Sequence, residues 1–244
     1  MRIDVMGVEF DNITIDEAVS QALDLMREQR AAYVVTPNPE IVMAARENAS
    51  LSDALAGADL VLADGIGVVK GAKILGTPLK EKIPGIDFAA RLFSLLSKQN
   101  GSVFLFGAKP GVAELAAQNL LKQYPGLVIA GTNNGYFTDD APILDRINEA
   151  SPDLLLVCLG FPKQEIWMAE HTGALNVGLM AGLGGSLDVL AGVAERAPEK
   201  WQRAGLEWLY RLKKEPRRIG RMMQLPKFLF SVIGRRLGGK QHAG

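Results

Sequence analysis

This 244-residue sequence predicts an α/β fold: a mainly parallel, Rossmann-like sheet with helices on both faces, followed by a basic C-terminal helical appendage. Three observations carry that expectation. Six short runs alternate with helical patterns, and each run is continuously apolar, as strands buried on both faces should be. Glycine and small polar residues gather just after those runs, where open α/β sheets place their ligands. The charge is divided along the chain: from Arg196 onward there are 13 Lys+Arg against 3 Asp+Glu, whereas residues 1–195 hold 14 against 24. That division places the boundary between an α/β body, 1–195, and a basic, amphipathic appendage, 196–244.

The predicted strands are 32–36, 58–63, 102–107, 127–130, 153–159 and 175–180. The helical periodicity falls between them, over 14–29, 39–48, 86–99, 111–122, 140–150 and 162–170. Parallel neighbours need such crossovers, because a tight hairpin cannot join them. Asn38 before Pro39 pairs an N-cap side chain with proline at the first helical position. In the appendage, Trp201, Leu206, Trp208, Leu209 and Leu212 crowd into one helical stretch. Met222, Leu225, Phe228, Leu229 and Val232 then recur at three- and four-residue spacings, and Pro226 suits a helix start. Two arrangements fit that stripe: packing on the body, or lying in a membrane interface. The concentration of cations beside an acidic body favours the membrane.

Several classes are excluded by composition. No run of eighteen apolar residues is present, and nothing after Met1 has the length of a signal-peptide core, so a cytoplasmic protein is expected. Cys158 stands alone, which rules out an intrachain disulfide. With only His171 and His242 beside it, no His/Cys zinc site can be assembled. Neither a metal nor a cofactor is expected. P-loop, dinucleotide-fingerprint, D-x-D and nucleophile-elbow motifs are all missing. The basic appendage calls for an anionic partner, but its aromatics read as an apolar helix face rather than as base-stacking positions, which argues against nucleic acid.

The chemistry is sought at the strand ends: 36–40, 64–67, 107–111, 131–137, 160–165 and 181–188. Each has a plain structural explanation when taken alone. Asp64 can cap a helix, Gln164 and Glu165 can be ordinary first-turn residues, and the glycines can form turns. Six such ends converging on one sheet edge point instead to an anionic, nucleotide-like ligand, approached closely by glycine backbone and by helix N-termini.

Seven strings then fall in order over almost the whole chain. They are Thr36-Pro-Asn-Pro-Glu40, Ala63-Asp-Gly-Ile-Gly67, Leu159-Gly-Phe-Pro-Lys-Gln-Glu165 with Trp167, Gly182-Leu-Gly-Gly-Ser-Leu-Asp188, Arg196-Ala-Pro198, Leu206-Glu-Trp-Leu-Tyr-Arg-Leu212 and Glu215-Pro-Arg-Arg218. Together they resemble the WecG/TagA/CpsF glycosyltransferases. The resemblance implies inverting, metal-independent transfer from a UDP-sugar to an undecaprenyl-diphosphate-linked sugar, in the making of teichoic-acid linkage units or other surface polysaccharide. N-acetylmannosamine is the first donor sugar to test, with its uronic acid, glucose and galactose as alternatives. A peripheral place on the inner face of the plasma membrane is implied, and assembly as a homo-oligomer stays open.

The same resemblance assigns roles. Asp64 matches the family's general base, Thr36 and Asn38 its first polar loop, and Gln164 a glutamine facing sugar or phosphate. Arg211, Arg218 and Arg221 match tail arginines that complete the site when the tail docks on the membrane. Lys82 stands where family members often carry arginine; it keeps the charge of a phosphate ligand and loses the bidentate fork. Tyr136 is a candidate to stack on uracil, and Asp188 to accept from ribose or base. Gly65, Gly107, Gly184 and Gly185 would admit the ligand to the backbone. Two rivals are a different sugar-nucleotide enzyme, such as an epimerase, and a non-catalytic, membrane-docked nucleotide-binding module.

Overall fold

The computed structural model describes residues 1–214, 220 and 223–241. Six parallel strands form the central sheet: β3 (Ala32–Val35), β4 (Leu60–Val61), β5 (Ser102–Gly107), β6 (Val128–Asn133), β7 (Leu154–Cys158) and β8 (Leu179–Gly182). Their order is β4-β3-β8-β7-β5-β6. Alternation of side chains at period two explains the unbroken apolar runs. Tyr33, Val35, Phe104, Phe106, Leu155 and Val157 face one core. Val34, Val103, Leu105, Leu154 and Leu156 face the other.

The second core is covered by α1 (Ile15–Glu28), α5 (Gly85–Leu96), α6 (Val112–Gln123) and α9 (Ser186–Leu190). The first is covered by α2 (Pro39–Ala45), α3 (Ala49–Ala56), α4 (Ile66–Leu75), α7 (Ala141–Ala150) and α8 (Lys163–His171). Local signals fix several boundaries. Thr14 and Glu17 form a reciprocal capping box at the start of α1. The helix expected over 39–48 is α2, ending at Ala45; the Asn48 side chain accepts from Leu51 N–H at 3.0 Å and caps a further helix, α3, that the periodicity did not indicate.

The N-terminal residues form an antiparallel hairpin that the helical and strand periodicity did not reveal, β1 (Arg2–Val5) and β2 (Val8–Asp11). Its two-residue turn, Met6-Gly7, has positive φ at both positions (61° and 97°), the requirement of a primed turn. The hairpin shields the free edge of β4. Asp11 Oδ2 accepts from Val61 N–H at 2.9 Å, and Arg2 donates to the carbonyls of Ala58 and Asp59 at 2.7 and 3.0 Å. A strand of two residues, rather than the expected six, is thereby protected from further pairing. The last strand also differs from the expected 175–180, running Leu179–Gly182.

The appendage begins with two short helices, α10 (Glu199–Arg203) and α11 (Glu207–Lys214), separated by Gly205 at φ 69°. Its last described helix, α12 (Gln224–Gln241), carries Pro226 inside the first turn, where the missing N–H is harmless. Of the two arrangements open to the stripe at 222–232, its described residues take the first, packing on the body. Phe228 and Val232, assigned to a membrane-facing stripe, are fully buried against α4. The notch that receives them is glycine: a Cβ at Gly71 would meet the Phe228 ring at 2.7 Å, and one at Gly67 would meet Leu225 at 2.6 Å. Two of the appendage's cations also face the body. Arg235 pairs with Asp4 at 2.7 Å, and Arg236 donates to the Leu75 carbonyl at 2.9 Å. A different stripe, Phe230, Ile233 and Leu237, is left exposed on the outer side at i, i+3 and i+7.

Candidate functional site

The carboxyl ends of β3, β4, β7 and β8 open into a two-armed cleft beneath α11. Asn38, Glu40, Asp64 and Glu207 line both arms. One arm, about 160 Å³, continues past Gly65 and Lys82 towards Trp208. The other, about 220 Å³, continues past Thr36 and Gln164 towards Gly184, Gly185 and Arg196. Together they reach the lower end of the roughly 300–1,000 Å³ typical of small-molecule sites.

Asp64 follows β4 with its own N–H donated to the Pro37 carbonyl at 3.2 Å, which ties the 64–67 turn to the 36–40 turn. It is not the cap of α4: that position belongs to Gly65, whose φ of 96° a side chain would strain. Asp64 lies in the wall shared by both arms. Asn38 does cap α2, its Oδ1 accepting from Ile41 N–H at 3.1 Å. Thr36 is buried, and its hydroxyl donates to the Gly182 carbonyl at 3.1 Å, joining the ends of β3 and β8. Gly85 makes room there, since a Cβ would meet Leu183 at 2.9 Å and Thr36 at 3.3 Å.

Gln164 is clamped rather than loosely placed in a first turn. Its Oε1 accepts from Gly184 N–H at 3.0 Å and its Nε2 donates to Glu165 Oε1 at 2.8 Å. Those two bonds fix which way the carboxamide points. Glu165 is 1% exposed, and its Oε2 is buried without a partner among the described residues. Burial pushes its carboxyl above the usual carboxylate range, because a charge there would lack solvation. Cys158, at the end of β7, is likewise pushed up to about 12 by burial, so it is an inert core thiol.

Two ion pairs hold cations of the cleft walls. Lys82 Nζ donates to Glu207 Oε1 at 2.6 Å, with both side chains about 22% exposed. Arg196 grips Asp87 with two bonds of 2.6 and 2.7 Å. The Asp87 carboxylate first, and the fields of Glu207 and Asp64 after it, hold the Arg196 guanidinium above its ordinary value. Glu40, Glu207 and Arg196 were not singled out as ligand residues by strand-end reasoning. Glu40 sits in a quoted string as the first acidic residue of α2, and the other two come from the appendage, beyond any strand end.

The remaining sequence candidates separate. Gly184 and Gly185 line the second arm. Gly107 ends β5 at φ 133°, where a Cβ would collide with the Cys158 carbonyl at 2.3 Å, and it does not line the cleft. Tyr136 is 69% exposed on the loop after β6, outside the same lining. Asp188 lies in the first turn of α9, whose cap is Gly185, and is also outside it. Arg211 falls in α11, while Arg218 and Arg221 lie outside the described residues.

Comparison with known proteins identifies the family. The profile described as "Glycosyl transferase WecG/TagA/CpsF family" matches residues 3–242. The chain is 36% identical over 206 residues to a Bacillus spizizenii protein named N-acetylglucosaminyldiphosphoundecaprenol N-acetyl-beta-D-mannosaminyltransferase, covering 84% of this chain and 80% of that one. It is 34% identical over 233 residues to a protein of the same name from Staphylococcus aureus strain MW2, covering 95% and 92%.

Proposed function

The chain belongs to the WecG/TagA/CpsF glycosyltransferase family, and from that premise we propose that it moves N-acetylmannosamine from a UDP-sugar to a polyprenyl-diphosphate-linked N-acetylglucosamine. The acceptor and the sugar come from the names of both relatives. The observation that supports the reading is the position of Asp64: it shares the wall common to both arms with Glu40 and Glu207, and it is the one of these three that matches the family's base, so that a donor in one arm and an acceptor in the other would meet beside it.

A single inverting displacement needs a base for the acceptor hydroxyl, and Asp64 is placed to be that base. The departing diphosphate needs preorganised positive charge. Lys82 lines the first arm and Arg196 the second, and the appendage arginines 211, 218 and 221 would add to them. Gln164, its carboxamide fixed by Gly184 and Glu165, presents one remaining Nε2 hydrogen to a sugar or phosphate oxygen. The absence of a D-x-D string supports a mechanism without a metal clamp.

The lipid acceptor places the reaction at a membrane surface. No described helix is long and apolar enough to cross a bilayer. The outward stripe Phe230-Ile233-Leu237 supports docking of α12 flat in the interface of an anionic inner leaflet. The test offers the enzyme a panel of UDP-sugars with a short-chain GlcNAc-diphosphate lipid. Transfer from UDP-N-acetylmannosamine alone is the expected result. Transfer of a different sugar would revise the donor, and UDP-sugar conversion without any acceptor would favour an epimerase instead.

A further inference from the structure

The cations that line the cleft among the described residues are already occupied. Among the described residues lining its two arms, the lysine and the arginine are Lys82 and Arg196, and each is held by a carboxylate. The two attachments differ. Arg196, at the root of the appendage, is bound to Asp87 of α5 by a planar fork with two short bonds. Lys82 is bound by a single contact to Glu207, at the first turn of α11 in the appendage. A diphosphate that enters the first arm meets a lysine already neutralised, beside the carboxylates of Glu40 and Asp64. It can gain Lys82 only by displacing Glu207, because two anions crowded on one ammonium repel each other in a partly buried site.

Glu207 is mounted on a part of the chain that can yield. Gly205, at φ 69°, breaks the appendage between α10 and α11 and rests against Ile66, where a Cβ would come within 3.0 Å. In the last turn of α11, Lys214 pairs with Glu195, and that contact is more than half exposed and worth little. We propose that Glu207 is a stand-in anion: it holds Lys82 in the empty enzyme, and the diphosphate of the incoming ligand takes its place, freeing the first turn of α11. This deepens the reading of the site as one for a nucleoside diphosphate and rests on it for the identity of the natural ligand. Glu207 thereby sets the affinity for every ligand that uses Lys82 and for none that does not.

The experiment measures binding of inorganic pyrophosphate, UDP and uridine to the full chain by calorimetry, in wild type, Glu207→Gln, and Glu207→Gln combined with Lys82→Met. Removing a competing, partly exposed carboxylate should tighten pyrophosphate and UDP by about three- to tenfold. Uridine should bind Glu207→Gln as it binds wild type, and the gain should disappear in the double variant. In wild type, pyrophosphate should also speed amide exchange over 207–214. Pyrophosphate binding that is unchanged or weaker in Glu207→Gln, or undetectable in both proteins, overturns the proposal. So does an equal gain for uridine, which would mark a general loosening. A gain for pyrophosphate with no binding of UDP to either protein would leave the stand-in anion intact and remove the UDP-sugar reading.

Discussion

Replacing Phe228 by alanine should undock α12 while leaving the body folded. The ring is fully buried, and its seat exists only because residue 71 is glycine. Truncating a buried phenylalanine costs about 3–5 kcal/mol. The other tethers cannot compensate. The Arg235–Asp4 pair is half exposed on the arginine side, and such pairs contribute about 0–1 kcal/mol. At about 1.4 kcal/mol per tenfold, the docking equilibrium of α12 falls by roughly two to three orders of magnitude. Hydrogen exchange followed by mass spectrometry reads this directly. Amides of 224–241 should lose protection by that factor, whereas those of β5 and β7 in the sheet centre should be unchanged. A uniform loss of protection across helix and sheet would refute the reasoning, because α12 would then be part of one cooperative core rather than a separable layer. The same variant should keep UDP binding and lose transfer to a lipid acceptor.

Other consequences follow from single residues. Glu165→Gln should stabilise the protein above the ordinary carboxylate range. The carboxyl's folded-state value is raised, so its contribution is intact at low pH and is lost as pH rises through that value; a plot of unfolding free energy against pH should separate wild type from variant on the alkaline side only. Gly107→Ala should cost more than about 2 kcal/mol in a denaturant melt, through a positive φ and a carbonyl 2.3 Å from the new Cβ. Activity should survive a chelator; abolition by EDTA with rescue by magnesium or manganese would contradict a metal-free mechanism.

The fold was legible in the sequence wherever one physical cause dominated. Strands β5 and β7 were bounded within a residue because unbroken apolar runs have no other explanation in a sheet covered on both faces. Strand β4 was overestimated, since Ala58 and Leu62-Ala63 are as buried-looking in sequence as Leu60-Val61, and only the shielding hairpin shows where pairing stops. That hairpin was invisible because its turn uses Met6 at positive φ, which no turn signature announces. In the site, topology indicated the strand-end segments and the family resemblance chose Asp64, Asn38, Thr36 and Gln164 within them; these four line one cleft, whereas the ends of β5 and β6 do not reach it. Glu207 and Arg196 were missed as ligand residues because their positions depend on how the appendage folds back, a tertiary matter. The appendage's inner stripe was found by periodicity, its partner was not, and the outer stripe Phe230-Ile233-Leu237 went unnoticed. Periodicity identifies an apolar face, and the glycines of α4 decide which face the body takes.

The central claim is that Asp64 takes the proton from the acceptor hydroxyl during sugar transfer. Single-turnover transfer from UDP-N-acetylmannosamine to a short-chain GlcNAc-diphosphate lipid, compared between wild type and Asp64→Asn, tests it most directly. Asparagine keeps the size and removes the basic carboxylate, so the rate should fall by about a hundred- to ten-thousand-fold, with UDP affinity and melting temperature preserved. A folded Asp64→Asn enzyme that transfers sugar at near the wild-type rate would contradict the account.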